Sequence, residues 1–204
     1  PYWRYNRLFE DFSARLAYFA TVGQTAPEVL VLSPIESDYI ERASNRAGRY
    51  DGSLDRLMNA LMAAHRNFDL GDEQIISEIA KVENGRFVVG RMAYRAVALP
   101  EMLTIRASTL ALLTRFAAQG GAILASQPHP SLVDGAEDAA VLAPLRAAAP
   151  VVPADGWAAA LADKAPPLFT LRGQGADQVW THLRNVTDGY TLQLSNTSRK
   201  DSRT

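Results

Sequence analysis

Four side chains of this 204-residue chain stand where chemistry could be done: Glu36, Glu101, Gln127 and His129. Each lies a few residues beyond a short apolar run that reads as a buried strand, namely Val29–Leu32, Arg95–Leu99 and Ala122–Ser126. In an open α/β sheet ligands bind beyond the carboxyl ends of the strands, which puts all four on one edge. Glycoside hydrolysis needs two carboxylates about 5–10 Å apart. Glu36 and Glu101 could supply such a pair, although spacing along the chain does not set their separation. The simpler expectation is two solvated loop acids, the usual state of glutamate. His129 sits between Pro128 and Pro130 in a stiffened loop and could serve as a base or bind a sugar hydroxyl. It has no acidic or nucleophilic neighbour in sequence, so a surface histidine is the expectation.

Other chemistries are excluded or weakened. There is no cysteine, which removes disulfides, thiolate metal sites and a cysteine nucleophile together. His65, His129 and His182 are scattered without metal-ligand spacing, and neither a metal nor a cofactor is expected. Gly173-Gln174-Gly175 lacks the third glycine, the preceding strand and the following helix of a dinucleotide loop. A formal charge of −1 and a pI near 6.4 disfavour nucleic acid and anionic membranes as partners, while leaving room for a compact anion site. No apolar run approaches the roughly 20 residues of a membrane span. Tyr2, Trp3 and Tyr5 could form a platform for sugar; packing against a neighbouring domain is the stronger expectation. Trp157 and Trp180 are expected in local cores.

The elements that must position these residues read as follows. Leu8, Phe12, Leu16 and Phe19 recur on one face of a helix over Asn6–Thr21. Asp38–Asp51 shows no sustained period and reads as a mobile connection. Ser53 is expected to cap a helix over Leu54–His65, and Asp72 a helix through Ile75, Ile76 and Ile79. Asn84-Gly85 predicts a tight hairpin. Thr104 or Ser108 is expected to cap a helix carrying Leu110, Leu113 and Phe116, which Gly120-Gly121 ends. The strand–helix–strand stretch Tyr94–Ser126 predicts a right-handed parallel crossover. Gly135–Ala165 turns to alanine and proline, with short helices over Val141–Ala148 and Trp157–Ala162 and an edge strand at Val151-Val152. Beyond Pro166-Pro167, Gln178–Val186 and Tyr190–Asn196 alternate around Asp188-Gly189 as a hairpin. The fold class expected is α/β: a flavodoxin-like parallel sheet flanked by helices, with a C-terminal β-hairpin.

Three pieces taken together resemble a known module: WRYNRLFEDFSARLAYFATVG with VLVLSP, FDLGDEQIISEIAKVENGRFVVGRMAYRAVALP, and the Gly-Gly crossover. They are similar to the module that follows the catalytic barrel in glycoside hydrolase family 106, the α-L-rhamnosidases, and to the trimerisation module of some bacterial β-galactosidases. Its fold is like that of class I glutamine amidotransferases. The hairpin WTHLRNVTDGYTLQLSNTS resembles the opening of the β-sandwich that follows in such enzymes. The resemblance implies a helix over 1–24 from the end of a preceding barrel, an amidotransferase-like domain over 25–165, and over 166–204 the start of a β domain. It also implies that the catalytic carboxylates lie outside this chain. The amidotransferase nucleophile is a cysteine, and none is present.

A non-catalytic module of a bacterial glycosidase is therefore the functional expectation, with a carbohydrate-binding module, or a small hydrolase using Glu36 and Glu101, as alternatives. The expected partners are the preceding barrel and following β domain of the same protein, a second copy in a homo-oligomer, or carbohydrate. The chain opens Pro1-Tyr2-Trp3-Arg4 without an initiator Met, so an excised piece of a longer protein is expected. A bacterial periplasmic or secreted setting is expected ahead of the cytoplasm.

Overall fold

The computed structural model describes residues 2–44 and 48–198. A 3-10 turn at Trp3–Tyr5 leads into α1 (Asn6–Thr21), β1 (Gln24–Thr25), β2 (Val29–Leu32), α2 (Ile35–Ala43) and α3 (Arg49–Ala63). Then come β3 (Phe68–Gly71), α4 (Glu73–Ile79), β4 (Ala80–Glu83), β5 (Arg86–Val89), β6 (Met92–Tyr94) and β7 (Ala96–Leu99). They are followed by β8 (Thr104–Ile105), α5 (Ala107–Ala118), β9 (Ala122–Ala125), β10 (Leu132–Val133), β11 (Ala136–Glu137) and α6 (Ala139–Ala148). The last elements are α7 (Trp157–Ala160), β12 (Val179–Val186) and β13 (Gly189–Asn196).

Every residue of β2 and of β7 is buried. Strands apolar at both parities need cover on both faces, and a parallel sheet between helices supplies it. The sheet runs β3-β2-β7-β9, parallel throughout, with Val29 opposite both Phe68 and Ala96, and Ala96 opposite Ala122. Counted along the chain this is the order 2-1-3-4, and Val151 adds a single parallel bridge to Ala125. The order reverses between β2 and β7, which makes their carboxyl ends the switch point of a doubly wound sheet. One face, with Leu30, Leu32, Val97, Leu99 and Ile123, lies in the core formed by α4, α5, α6 and β4–β6. The other, with Val29, Val31, Ala96, Ala98 and Leu124, packs on Leu57, Leu61, Trp157 and Leu161.

Local chemistry accounts for most boundaries. Asp72 accepts hydrogen bonds from Gln74 N (2.7 Å) and Ile75 N (3.0 Å), capping α4 as expected. Asn84 and Gly85 turn the β4–β5 hairpin with φ of 51° and 69°. The crossover β7–α5–β9 and the hairpin β12–β13 form where the periodicity placed them. Phe116 on α5 meets Phe87 edge-on, centroids 5.7 Å apart. Gly23 (φ 67°) lets the chain turn from α1 into β1, since a Cβ there would stand 1.9 Å from the Asn185 carbonyl oxygen. Arg184 locks this turn, donating to the carbonyls of Val22 (2.6 Å) and Gly23 (3.0 Å). β1 pairs with β12, so the hairpin becomes a three-stranded sheet rather than a marginal pair.

Four expectations need correction. Asp38–Asp51 is no loop: α2 runs to Ala43 and α3 begins at Arg49, while residues 45–47 lie outside the described residues. α2 is held by charge: Glu36 and Asp38 sit in its first turn, and Arg42 pairs with Asp38 (2.5 Å) and Asp51 (3.0 Å). Ser53 is inside α3, not at its cap, and its hydroxyl accepts from Glu101 N (2.9 Å). Neither Thr104 nor Ser108 caps α5; Asp134 instead accepts from Ala107 N (3.1 Å) across the fold. Trp180 is 45% exposed rather than in a core, whereas Trp157 is buried at 2%.

Phe116 joins the sheet, α5 and β5 in the larger core and is fully buried. Phe116→Ala is expected to lower the unfolding free energy by about 3–5 kcal/mol, measured by urea denaturation. Phe116→Leu should cost clearly less, because it leaves a smaller void.

Candidate functional site

A cleft of about 330 Å³ opens at the carboxyl edge of the sheet, lined chiefly by Ser53, Arg56, Glu101, Ser126, Gln127 and Trp157. Glu101 and Ser126 follow directly on from this edge of the sheet, Glu101 two residues past β7 and Ser126 next to β9, while Ser53 and Arg56 come from α3. Glu101 is buried, against the expectation of a solvated acid. Its backbone N–H is taken by Ser53 and its carboxylate by Arg49, whose guanidinium also lies 5.6 Å from the centre of the Tyr50 ring. Among the described residues Glu101 is the one acid of this lining, so they form no carboxylate pair in the cleft. Its remaining groups are donors and acceptors fit to hydrogen-bond a small hydroxylated molecule.

Glu36 is elsewhere. It borders a shallower depression of about 450 Å³ with Ser77, Arg106, Ser108 and Asp134, and pairs with Arg106 at 2.5 Å. Arg106 N donates to the Glu73 carboxylate at 2.9 Å, and its guanidinium also bonds Gln74. This tie binds α2, α4 and the start of α5 together. Ser37, fully buried, fastens α2 to the strand-end loop by accepting from Leu103 N (2.9 Å) and Thr104 N (3.1 Å). Burial pushes the Glu73 carboxyl from an ordinary 4.5 up to about 7.

The histidines are built into the fold. His129 Nε2 donates to the Ala149 carbonyl oxygen (2.8 Å), which pins the proline-flanked loop to the end of α6. His65 Nε2 donates to the Ala176 carbonyl oxygen (3.0 Å). His182 stacks edge-on against Phe19 at 5.9 Å, with its pKa lowered by burial and by Arg184. Among the described residues no three His, Asp or Glu side chains gather as a metal site. None of the described helices is long and apolar enough to cross a membrane.

Of the four candidates, the structure brings Glu101 and Gln127 to one cleft and sends Glu36 and His129 to other neighbourhoods. Sequence reasoning missed Arg49 and Arg56, and it placed Trp157 in a local core without linking it to this edge. The two arginines fell in or near a stretch without apolar period, and Trp157 in an alanine-rich one. It also missed Arg86 and Arg95, although the Asn84-Gly85 turn and the turn at Gly90 place them at neighbouring strand ends.

A solved structure shares this fold. A crystal structure of an apo exo-carrageenase of glycoside hydrolase family 42 from Bacteroides ovatus aligns with 85% of the chain at 13% identity and a TM-score of 0.54. The alignment takes up 23% of that protein's length. A β-galactosidase from Bacillus circulans sp. alkalophilus aligns over 55% of the chain and 15% of its own, with 17% identity and a TM-score of 0.42, too slight a likeness to build on. No family model and no curated protein matches the sequence. The α/β fold of this chain thus also occurs as part of the larger exo-carrageenase.

Glu73 carries a pH dependence. Its folded pKa lies above the unfolded value, so its contribution is complete below about 4.5 and is lost as pH rises through about 7. Between pH 5 and 8 the protein should lose up to about 3 kcal/mol on this account. Glu73→Gln should flatten that slope in urea denaturation at the two pH values.

Proposed function

We propose that the chain is a non-catalytic architectural module of a multidomain bacterial glycosidase. In this reading α1 closes a preceding barrel and β12–β13 opens a following β domain. The module then buttresses the catalytic domain, shapes the rim of its cleft and offers a subunit contact. The parent reaction is hydrolysis of an O-glycosidic bond, with α-L-rhamnosides first among the substrates because of the sequence resemblance. The fold shared with part of a larger glycoside hydrolase supports this.

The observation that carries the reading is the unburied apolar side of α1. Leu8 and Phe9 are each 70% exposed and Phe12 63%, and no residue of the helix is buried. Tyr2 and Trp3 extend the patch. Contiguous apolar surface of this kind marks an interaction site. Glu101, Gln127 and the cleft around them favour the second reading, a carbohydrate-binding module.

The double variant Phe9→Ser, Phe12→Ser separates these ideas. In the isolated chain it should change stability by less than about 0.5 kcal/mol, since both rings already face solvent. In the full-length gene product it should cost about 3–5 kcal/mol, the range for losing a buried aromatic ring. A neutral result in both settings, or hydrolysis of aryl glycosides by the isolated chain, would overturn the proposal. Calorimetric heat with rhamnose or galactose that disappears in Gln127→Ala would move the assignment to the second reading.

A further inference from the structure

A second groove lies on the side of the molecule away from the carboxyl edge. It holds about 440 Å³, within the range of ligand pockets. One wall is cationic. Phe87 pairs with Tyr94 across β5 and β6, Arg86 and Arg95 flank that last ladder pair on the two chains, and Arg91 lies in the turn between the strands. Like charges held close together repel one another. Partial burial, and after it the nearby Arg95, lower the affinity of Arg86 for its proton.

One acid faces the three arginines. Glu28 lies 3.6 Å from Arg95 Nε, and burial raises its pKa despite the arginines around it. Among the described residues, Arg86 and Arg91 make no side-chain hydrogen bond and no ion pair. The groove therefore keeps an excess of positive charge that the protein itself does not match.

The opposite wall is neutral and built by register. Gln24 pairs with Asn185 across β1 and β12, and Asn185 with Tyr190 across β12 and β13. Residues opposite one another share a face, so two amides and a 60% exposed phenol ring stand in one row. Amides hydrogen-bond hydroxyls, and an aromatic face takes the C–H side of a sugar ring. Guanidinium groups match the planar fork of a carboxylate or the oxygens of a sulfate ester.

We propose that this groove binds an acidic sugar, its sulfate or carboxylate held by Arg86, Arg91 and Arg95 and its ring lying against Tyr190 with its hydroxyls on Gln24 and Asn185. The site is separate from the Glu101 cleft.

Calorimetric titration of the whole chain tests this with galactose 6-sulfate, galacturonate, galactose and inorganic sulfate. Both charged sugars should bind, the preferred one revealing the natural anion, and their affinity should fall as salt screens the arginines. Galactose should give no heat in this groove. Arg86→Gln, Arg91→Gln and Arg95→Gln should each weaken the charged sugars about tenfold, the scale of one charge-assisted hydrogen bond. Tyr190→Ala should weaken the sugars but not inorganic sulfate, and Gln127→Ala should change nothing. Arg86→Gln should melt no lower than the unaltered protein, because it removes one of two neighbouring like charges. No binding of either charged sugar would overturn the site, as would undiminished affinity in the exposed Arg91→Gln variant. Inorganic sulfate matching the charged sugars would overturn the assignment to a sugar.

Discussion

Two strands with no polar face govern this structure. Val29–Leu32 and Ala96–Leu99 are buried at every position, so their backbone groups can be satisfied only by neighbouring strands and their side chains only by helices on both sides. Once that sandwich is closed, polar chemistry is confined to the strand ends. At the carboxyl end the first polar groups to emerge, Ser37, Glu101 and Ser53, are drawn at once into bonds with backbone N–H groups and with Arg49. The edge is therefore ordered by mutual hydrogen bonding. What remains for a ligand is the strip of Arg56, Ser126 and Gln127 above Trp157.

How much of this was legible follows from where free energy is concentrated. The parallel crossover, the Asn84-Gly85 hairpin and the alternating final hairpin were readable because periodicity and turn residues act locally, and all three stand in the structure. α2 was not readable. Its polar residues outnumber its apolar ones, and it is fixed by Arg42 between Asp38 and Asp51 and by Ser37 reaching residues 66 and 67 positions away. The cap of α5 was missed for the same reason, since Asp134 comes from 27 residues downstream. Glu101 was named from the rule for strand ends, but its burial depends on Arg49 and Ser53, which no spacing links to it.

The two edges of the sheet differ in how they treat charge. At the carboxyl edge Glu36 meets Arg106 and Glu101 meets Arg49, so these two acids each have an arginine. At the amino edge Arg86, Arg91 and Arg95 line one groove with Glu28, which pairs with Arg95 alone, and Arg86 stands close enough to Arg95 to feel its charge. Such an arrangement is poor for stability alone. Exposed ion pairs contribute little in water, so the matched edge gains order more than free energy, while the unmatched edge carries a standing repulsion that an anion would relieve.

α1 shows the same tension in apolar form. A helix of 16 residues is marginal in water without tertiary packing. Here no residue of the helix is buried, and the packing includes Phe19 against His182, with Val22 and Gly23 held by Arg184. These contacts all fall in or just past the last turn, leaving Leu8, Phe9 and Phe12 with solvent. Its C-terminal end is therefore anchored to the hairpin sheet while its N-terminal half projects an apolar side. A helix fastened at one end, with its apolar side free, has the physical form of a joint, and a surface laid along that side would stabilise helix and joint together.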